Sequence, residues 1–339
     1  MKVLILKPSS LGDVVQALPV LRLLRRHQPR AQVWWWVDSN LAPLLEGDPD
    51  LAGVLRFERR GWRSPRRWLE LGRTLRWMRA QEFDWVIDLQ GLARSGTIAW
   101  LARGKLLIGL DESREGARGF YDIIVPRASF HTHAVDWYLA VLPRLGVPAD
   151  SNLTWLPERP AVAAAIREKW AVNSKEWLAV LPGARWENKR WPIGHFAEVM
   201  RCVAARHDSL RFVILGSNAD QPLGATLAQA APGRCLDLTG ATSLPEMVEW
   251  LRLSRLVLTN DTGPMHVAAA LGKPLVALFG PTEPRRTGPY GQLDRVLRHH
   301  LPCTPCLKSH CAWSKPMECL TAISPDEATA AVERHVAAG

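Results

Sequence analysis

The stretch that most constrains this chain is Asn260-Asp261-Thr262-Gly263-Pro264-Met265-His266-Val267-Ala268-Ala269-Ala270, with Leu256-Val257-Leu258 before it and Gly272-Lys273-Pro274 after it. A short apolar run, a polar turn, a run of small residues and a second apolar run (Leu275-Val276-Ala277-Leu278-Phe279) spell strand, loop, helix, strand. Such a unit belongs to a doubly wound α/β sheet, whose ligands bind at the loops after its strands. Gly263 lets the backbone come close to a ligand. Asp261 and Thr262 fall where a helix start presents unpaired N–H groups and a positive dipole end to a phosphate. Ala268, Ala269 and Ala270 keep the helix narrow against the sheet, and His266, one turn beyond Thr262, can face the same ligand. The competing reading is structural: Asn-Asp-Thr-Gly also makes a turn and a helix cap.

At 339 residues the chain has room for two domains. Several prolines and polar residues between Pro148 and Pro160 read as a linker. The expected division is 1–155, then 156–323, then a closing helix over 324–339 that opens on Ser324-Pro325-Asp326-Glu327, a cap, a proline and two acids. The hydrophobic fraction of 47% is enough for packed cores, and no apolar run reaches membrane-spanning length. The first seven residues read as a core strand rather than a signal peptide, so the expected location is the cytoplasm.

The first half opens with a strand over 3–6 that runs into Lys7-Pro8-Ser9-Ser10-Leu11-Gly12-Asp13, then a helix with Leu18, Leu21 and Leu24 at helical spacing. One glycine is not the Gly-x-Gly-x-x-Gly of a dinucleotide site, and no P-loop pattern occurs, so nicotinamide and P-loop chemistry are not supported. Asp13 has two readings. It is an acid favoured by the dipole at a helix start, or a carboxylate at a strand's C-terminal edge acting as a general base. Further strands are expected over 32–37, 85–89 and Leu106–Leu110. Asp48-Pro49-Asp50 looks like a metal-binding Asp-x-Asp, but after Gly47 and before Leu51 it reads as a turn. One helix is expected from His133 to near Gly146.

In the second half, strand Trp177–Leu181 leads into Pro182-Gly183-Ala184-Arg185-Trp186-Glu187-Asn188-Lys189-Arg190-Trp191-Pro192, where a glycine followed by two cations suits phosphate oxygens. A strand over 211–215 ends in Gly216-Ser217-Asn218-Ala219-Asp220. Several loops here carry glycine, a hydroxyl or a positive charge where a nucleotide would sit.

The formal charge is +10. Between Arg56 and Arg79 nine arginines face two acids, Glu58 and Glu70, with Trp62, Trp68 and Trp77 interleaved. That stripe suits an anionic membrane surface or an acidic acceptor, or nucleic acid, or is a solvated helix face. Cys202 and Cys235 read as ordinary buried residues. Cys303, Cys306, Cys311 and Cys319 are either the ligands of a structural zinc or cluster site or a set of free or redox-active thiols.

Taken together, Lys7-Pro8-Ser9-Ser10-Leu11-Gly12-Asp13, Lys189-Arg190-Trp191-Pro192, Asn260 to His266 with Gly272-Lys273-Pro274, and Phe279-Gly280-Pro281-Thr282 resemble the bacterial lipopolysaccharide heptosyltransferases of glycosyltransferase family 9. The resemblance implies a GT-B fold, two Rossmann-like doubly wound domains facing a central cleft, acceptor on the first and nucleotide sugar on the second. It implies inverting, cofactor-free and metal-independent transfer of L-glycero-D-manno-heptose from ADP-heptose to Kdo-lipid A or inner-core lipopolysaccharide. By the same resemblance Asp13 is the base and Lys189, Asp220, Asp261, Thr262, Gly263 and His266 hold the donor. Ser10, Gly12, Arg94 and Arg118 hold the acceptor. Asp220 stands where the family has a glutamate. Gln90-Gly91-Leu92-Ala93-Arg94-Ser95, and Arg114-Glu115-Gly116 through Phe120-Tyr121, are similar to the heptosyltransferase I branch, whereas the four-cysteine tail is more like heptosyltransferase II-like members. The expected place of work is the inner-membrane surface, with no nucleic-acid partner. The rivals are another nucleotide-sugar transferase of the family and a non-catalytic binder of lipopolysaccharide or nucleic acid.

Overall fold

A computed structural model describes residues 1–58, 64–112, 115–150, 154–172 and 176–336. Arg59, Arg60, Trp62 and Arg63 of the basic stripe, Arg114 of the charged loop and residues 151–153 of the linker lie outside the described residues. The chain divides into two compact units, Met1–Pro157 and Glu158–Gly339.

The first unit is built on β1 (Lys2–Leu6), β2 (Gln32–Asp38), β3 (Gly53–Phe57), β4 (Trp85–Asp88), β5 (Leu106–Leu110) and β6 (Ile123–Val125). Their order is β3-β2-β1-β4-β5-β6, and all pairs are parallel. Val3, Leu4, Ile5 and Leu6 are fully buried, as a central parallel strand covered on both faces requires. The winding reverses between β1 and β4, so the ligand crevice of this sheet lies outside the carboxyl ends of those two strands.

The second unit repeats the plan with β7 (Trp177–Leu181), β8 (Arg211–Ile214), β9 (Cys235–Asp237), β10 (Leu256–Asn260), β11 (Leu275–Phe279) and β12 (Val296–Arg298). The order β12-β11-β10-β7-β8-β9 is the same winding, with its switch point between β7 and β10. The closing helix Pro325–Val336 packs on helix Ile193–Arg206 and puts Ala328, Ala331, Val332 and Val336 into the core of this unit. Two Rossmann-like units of this kind form the GT-B fold that the resemblance implies.

The strands β3, β6 and β12 have no clear signal in the sequence. All are short and only partly buried: β3 and β12 include an arginine, and β6, though apolar throughout, is three residues long, so none has the apolar run of four or more that marks a buried strand. The helix expected from His133 is two helices, Ala134–Leu139 and Val141–Arg144, meeting at Ala140. Asp48-Pro49-Asp50 does turn, and both acids are held by Arg22, whose Nη2 lies 2.5 Å from Asp48 and Nη1 2.7 Å from Asp50. Cys202 and Cys235 are half-buried rather than buried: the Cys202 thiol turns to the partly exposed Glu198 carboxylate, and Cys235, on the edge strand β9, turns to the Leu227 carbonyl. No helix among the described residues is long and apolar enough to cross a membrane.

Candidate active site

Asp13 lies in the first turn of helix Leu11–His27, which starts just beyond the carboxyl end of β1. Its Oδ2 accepts the Ser10 N–H at 2.9 Å and the Ser10 hydroxyl at 2.6 Å, one half of a capping box. The other oxygen has different company. Tyr138 donates its hydroxyl to Oδ1 at 3.2 Å, and Lys7 Nζ stands 4.0 Å from the same oxygen. Lys7 is only 3% exposed. Its ammonium donates to the Leu89 carbonyl at 2.8 Å and sits 4.6 Å from the Tyr138 ring centroid. Burial first, then the Asp13 charge, holds the Tyr138 phenol well above its ordinary value, so it remains a donor. The carboxylate is thus fixed from both sides, yet 39% of the Asp13 side chain is open. The cap uses Oδ2, so it does not compete with the base reading for Oδ1.

Ser10 is exposed and Gly12 is buried in the same turn. Arg94, in helix Ala93–Ala102 after β4, is exposed and pairs with Glu115 at 2.9 Å. Arg118 is exposed and grips Asp111, just past β5, through Nε at 2.5 Å and Nη2 at 2.6 Å. The loop between β4 and Arg94 is fixed by Asp88, whose fully buried carboxylate accepts the Gln90 N–H at 2.8 Å, the Gly91 N–H at 3.2 Å and the Tyr121 hydroxyl at 2.7 Å. Burial raises the Asp88 pKa against the pull of those donors. Gly109 is glycine for a steric reason: a Cβ there would lie 2.4 Å from the Tyr121 ring. At the ends of β2 and β3 a cavity of about 320 Å³ opens against helix Pro65–Gln81, lined by Trp36, Arg56, Phe57, Arg67, Glu70 and Thr74 among others.

In the second unit the site gathers at the β7/β10 switch point. Asn260, fully buried at the end of β10, accepts the Trp191 N–H at 3.0 Å and donates to the Pro182 carbonyl at 2.8 Å. Trp191 also donates its indole N–H to the Ile323 carbonyl at 3.0 Å, and Arg190 Nε donates to the Ala184 carbonyl at 2.8 Å. These bonds lace the loop after β7 to β10 and present Lys189. Its Nζ reaches Asp261 Oδ2 at 2.7 Å, and the Thr282 hydroxyl donates to the same oxygen. Lys189 also lies 4.7 Å from the Trp186 ring centroid. Thr262 holds the N-cap position of helix Gly263–Ala270 in an extended conformation, with no capping hydrogen bond from its side chain, and His266 is buried one turn in.

Asp220 is buried after β8, where it accepts the Ser217 N–H at 2.8 Å and hydroxyl at 2.7 Å. A Cβ on Gly183 would lie 2.5 Å from the Asp220 carboxylate, so glycine at 183 is what admits it beside the loop after β7.

The structure therefore joins Lys189 directly to Asp261 and sets Asp220 against the same loop. Residues without a sequence-based role prove to be in contact with the site. Lys7 and Thr282 lie inside recognisable stretches. Tyr138 is 125 positions from Asp13, and nothing local points to it. Trp186 carries only the signal of being next to the cationic loop.

The four C-terminal cysteines are free thiols. Burial, then the nearby Cys311, Cys303 and Cys306 thiols, pushes Cys319 up to about 11. Among the described residues no group of three or more His, Cys, Asp or Glu side chains converges where a metal ion would sit.

Comparison with known proteins adds the family. The model of glycosyltransferase family 9 (heptosyltransferase) matches residues 68–316. The chain is 33% identical over 333 residues to lipopolysaccharide heptosyltransferase 1 of Pseudomonas aeruginosa, covering 94% of this chain and 89% of that one. It is 27% identical to lipopolysaccharide heptosyltransferase 2 of Escherichia coli over 88% of each. Among solved structures, E. coli heptosyltransferase WaaC with ADP superposes with a TM-score of 0.79 at 25% identity, over 99% of this chain and 100% of that one. The chain, with a carboxylate at the switch point of one sheet and a lysine-centred seat at that of the other, belongs to glycosyltransferase family 9, the heptosyltransferases.

Proposed function

We propose that this glycosyltransferase moves L-glycero-D-manno-heptose from ADP-heptose to the Kdo or inner core of lipopolysaccharide, with inversion, at the cytoplasmic face of the inner membrane. The observation that carries the reading is the Asp13 carboxylate, oriented on both oxygens yet partly open at a sheet's switch point. Support comes from the similarity to P. aeruginosa lipopolysaccharide heptosyltransferase 1 and to E. coli WaaC, which was solved with ADP and with ADP-2-deoxy-2-fluoro heptose.

In this mechanism Asp13 accepts the proton of the acceptor hydroxyl as that oxygen bonds to the anomeric carbon. The bond from that carbon to the ADP oxygen breaks through an oxocarbenium-like transition state. Lys7 and Tyr138 hold the base in place. ADP leaves with its new charge facing Lys189 and the N–H groups at the start of helix Gly263–Ala270, which do electrostatically what a metal does elsewhere. Asp261 keeps the Lys189 ammonium aimed, and an ammonium has three donors, so it can serve both the carboxylate and a phosphate. Asp220 and His266 complete the donor seat. Ser10, Gly12, Arg94 and Arg118 contact the acceptor, and the arginines exchange Glu115 and Asp111 for its phosphate and carboxylate groups.

The test is Asp13→Asn assayed with ADP-heptose and Kdo-lipid A in EDTA, the product weighed by mass spectrometry. Wild type adds one heptose, and the variant loses about 100-fold or more in turnover with ADP affinity unchanged. Lost ADP binding with intact turnover would overturn the role of Asp13. Transfer only to an already heptosylated acceptor would move the chain to the second heptose.

A further inference from the structure

Helix Pro65–Gln81 turns Arg67, Leu71, Thr74 and Met78 toward the sheet, at spacings of three and four. Its opposite face is exposed and holds four arginines (Arg66, Arg73, Arg76 and Arg79), the large apolar residues Trp68 and Leu69, and no acid, whereas Trp77, only 37% exposed, packs edge-on against Trp34 and Phe83. Glu70 lies on the flank, already bridged to Arg66 at 3.2 Å and Arg67 at 2.8 Å. Helix Ala93–Ala102 packs beside it, and the Arg79 guanidinium donates to the Leu101 carbonyl at 2.8 Å. That bond brings Trp100 and Arg103, both exposed, to the same end of the pair. Leu69 is 64% exposed, Trp100 59% and Trp68 58%, the most exposed large apolar side chains among the described residues.

Stability of the unit does not account for leaving these three in water. A large apolar side chain left exposed forgoes the free energy of its burial. Their arrangement matches a specific surface. Tryptophan and leucine enter the headgroup boundary of a bilayer while arginines beside them meet lipid phosphates. Nucleic acid would use the arginines but gives no partner to an exposed leucine. We propose that the outer faces of helices Pro65–Gln81 and Ala93–Ala102 form one docking surface for an anionic phospholipid bilayer, with Trp68, Leu69 and Trp100 inserting and Arg66, Arg73, Arg76 and Arg103 binding headgroups. It rests on the reading that the chain works at a membrane surface and names the face that does so. Asp13 stands on helix Leu11–His27, which packs on helix Ala134–Leu139, and not on either of these two helices, so docking and chemistry are separable.

The experiment is flotation of the full chain with phosphatidylglycerol-rich vesicles and, in parallel, with pure phosphatidylcholine vesicles. Wild type floats with the anionic vesicles only and is released by high salt. Arg73→Gln with Arg76→Gln weakens binding roughly 30-fold. Leu69→Ser with Trp100→Ser weakens it at every salt concentration. Both variants keep the wild-type melting curve and the wild-type rate on a water-soluble, deacylated acceptor, but slow on acceptor embedded in vesicles. Undiminished flotation of both variants overturns this face and leaves the membrane reading standing. Failure of wild type to float overturns the membrane reading itself, while the deacylated assay still reports on transfer. Displacement from vesicles by duplex DNA at equal charge concentration would make the face a nucleic-acid surface and overturn the proposal.

Discussion

Asp13 and Asp261 each flank the switch point of a sheet with the same winding, and each has a lysine and a hydroxyl for company. The difference lies in how much of each carboxylate is committed. Asp261 is 5% exposed, and one oxygen takes both the Lys189 ammonium at 2.7 Å and the Thr282 hydroxyl. Asp13 keeps 39% of its side chain open, with its lysine at 4.0 Å. A base must lie within hydrogen-bond reach of an incoming proton, and only Asp13 has room for that. In the proposed mechanism Asp261 is a holder, whose value is the aim it gives Lys189, and exposure and the distance to the cation divide the work between two residues of one type.

The largest effect that sharpens this contrast is Asp13→Asn, with its loss of about 100-fold or more in turnover and a stability change of about 1 kcal/mol or less for a partly exposed carboxylate. Asp261→Asn should behave in the opposite sense. It strands a mostly buried ammonium, so urea unfolding should show a loss of about 3 kcal/mol, and calorimetry should show weaker ADP binding. A stable Asp261→Asn with full ADP affinity would dissolve the distinction. Tyr138→Phe removes one donor from Asp13 Oδ1. A net hydrogen bond is worth about 0.5–1.5 kcal/mol, so turnover should fall roughly 2- to 12-fold, with donor KM unchanged. A shift in donor KM instead would move Tyr138 out of the acceptor side.

The smallest effects belong to the cysteine segment, away from both carboxylates. With Cys319 raised to about 11, iodoacetamide at pH 8 should modify exposed Cys311 well before Cys319, and the Cys319 rate should climb with pH up to about that value. Cys311→Ser should leave the melting temperature and ADP affinity as they are. Equal protection of all four thiols, with zinc in elemental analysis, would show a closed metal site.

Much of the architecture is legible without coordinates. The central strands announce themselves because a parallel strand covered on both faces needs an unbroken apolar run, as Val3 to Leu6 and Leu275 to Phe279 have. The edge strands β3, β6 and β12 do not, since a half-covered strand of a few residues has no such run to show. The split of the helix after His133 has a local cause that the apolar pattern masks: Pro143 has no N–H to give the Leu139 carbonyl, so the first helix ends at Leu139 and a second starts at Val141.

The site divides in the same way. Local chemistry marks Asp13, Lys189, Asp261, Thr262 and Gly263, because a strand end, a glycine and a helix start are neighbours along the chain. The pair of doubly wound units and the loops on which these residues stand can be read along the chain, since hydrophobic period and turn chemistry act over a few residues. Packing alone makes Tyr138 and Lys7 converge on Asp13, gives Thr282 and Lys189 one oxygen of Asp261 to share, and sets the end of helix Ala93–Ala102 against Arg79. Those are contacts between distant segments, and their distances are set by how helices pack on a twisted sheet rather than by any pattern along the chain.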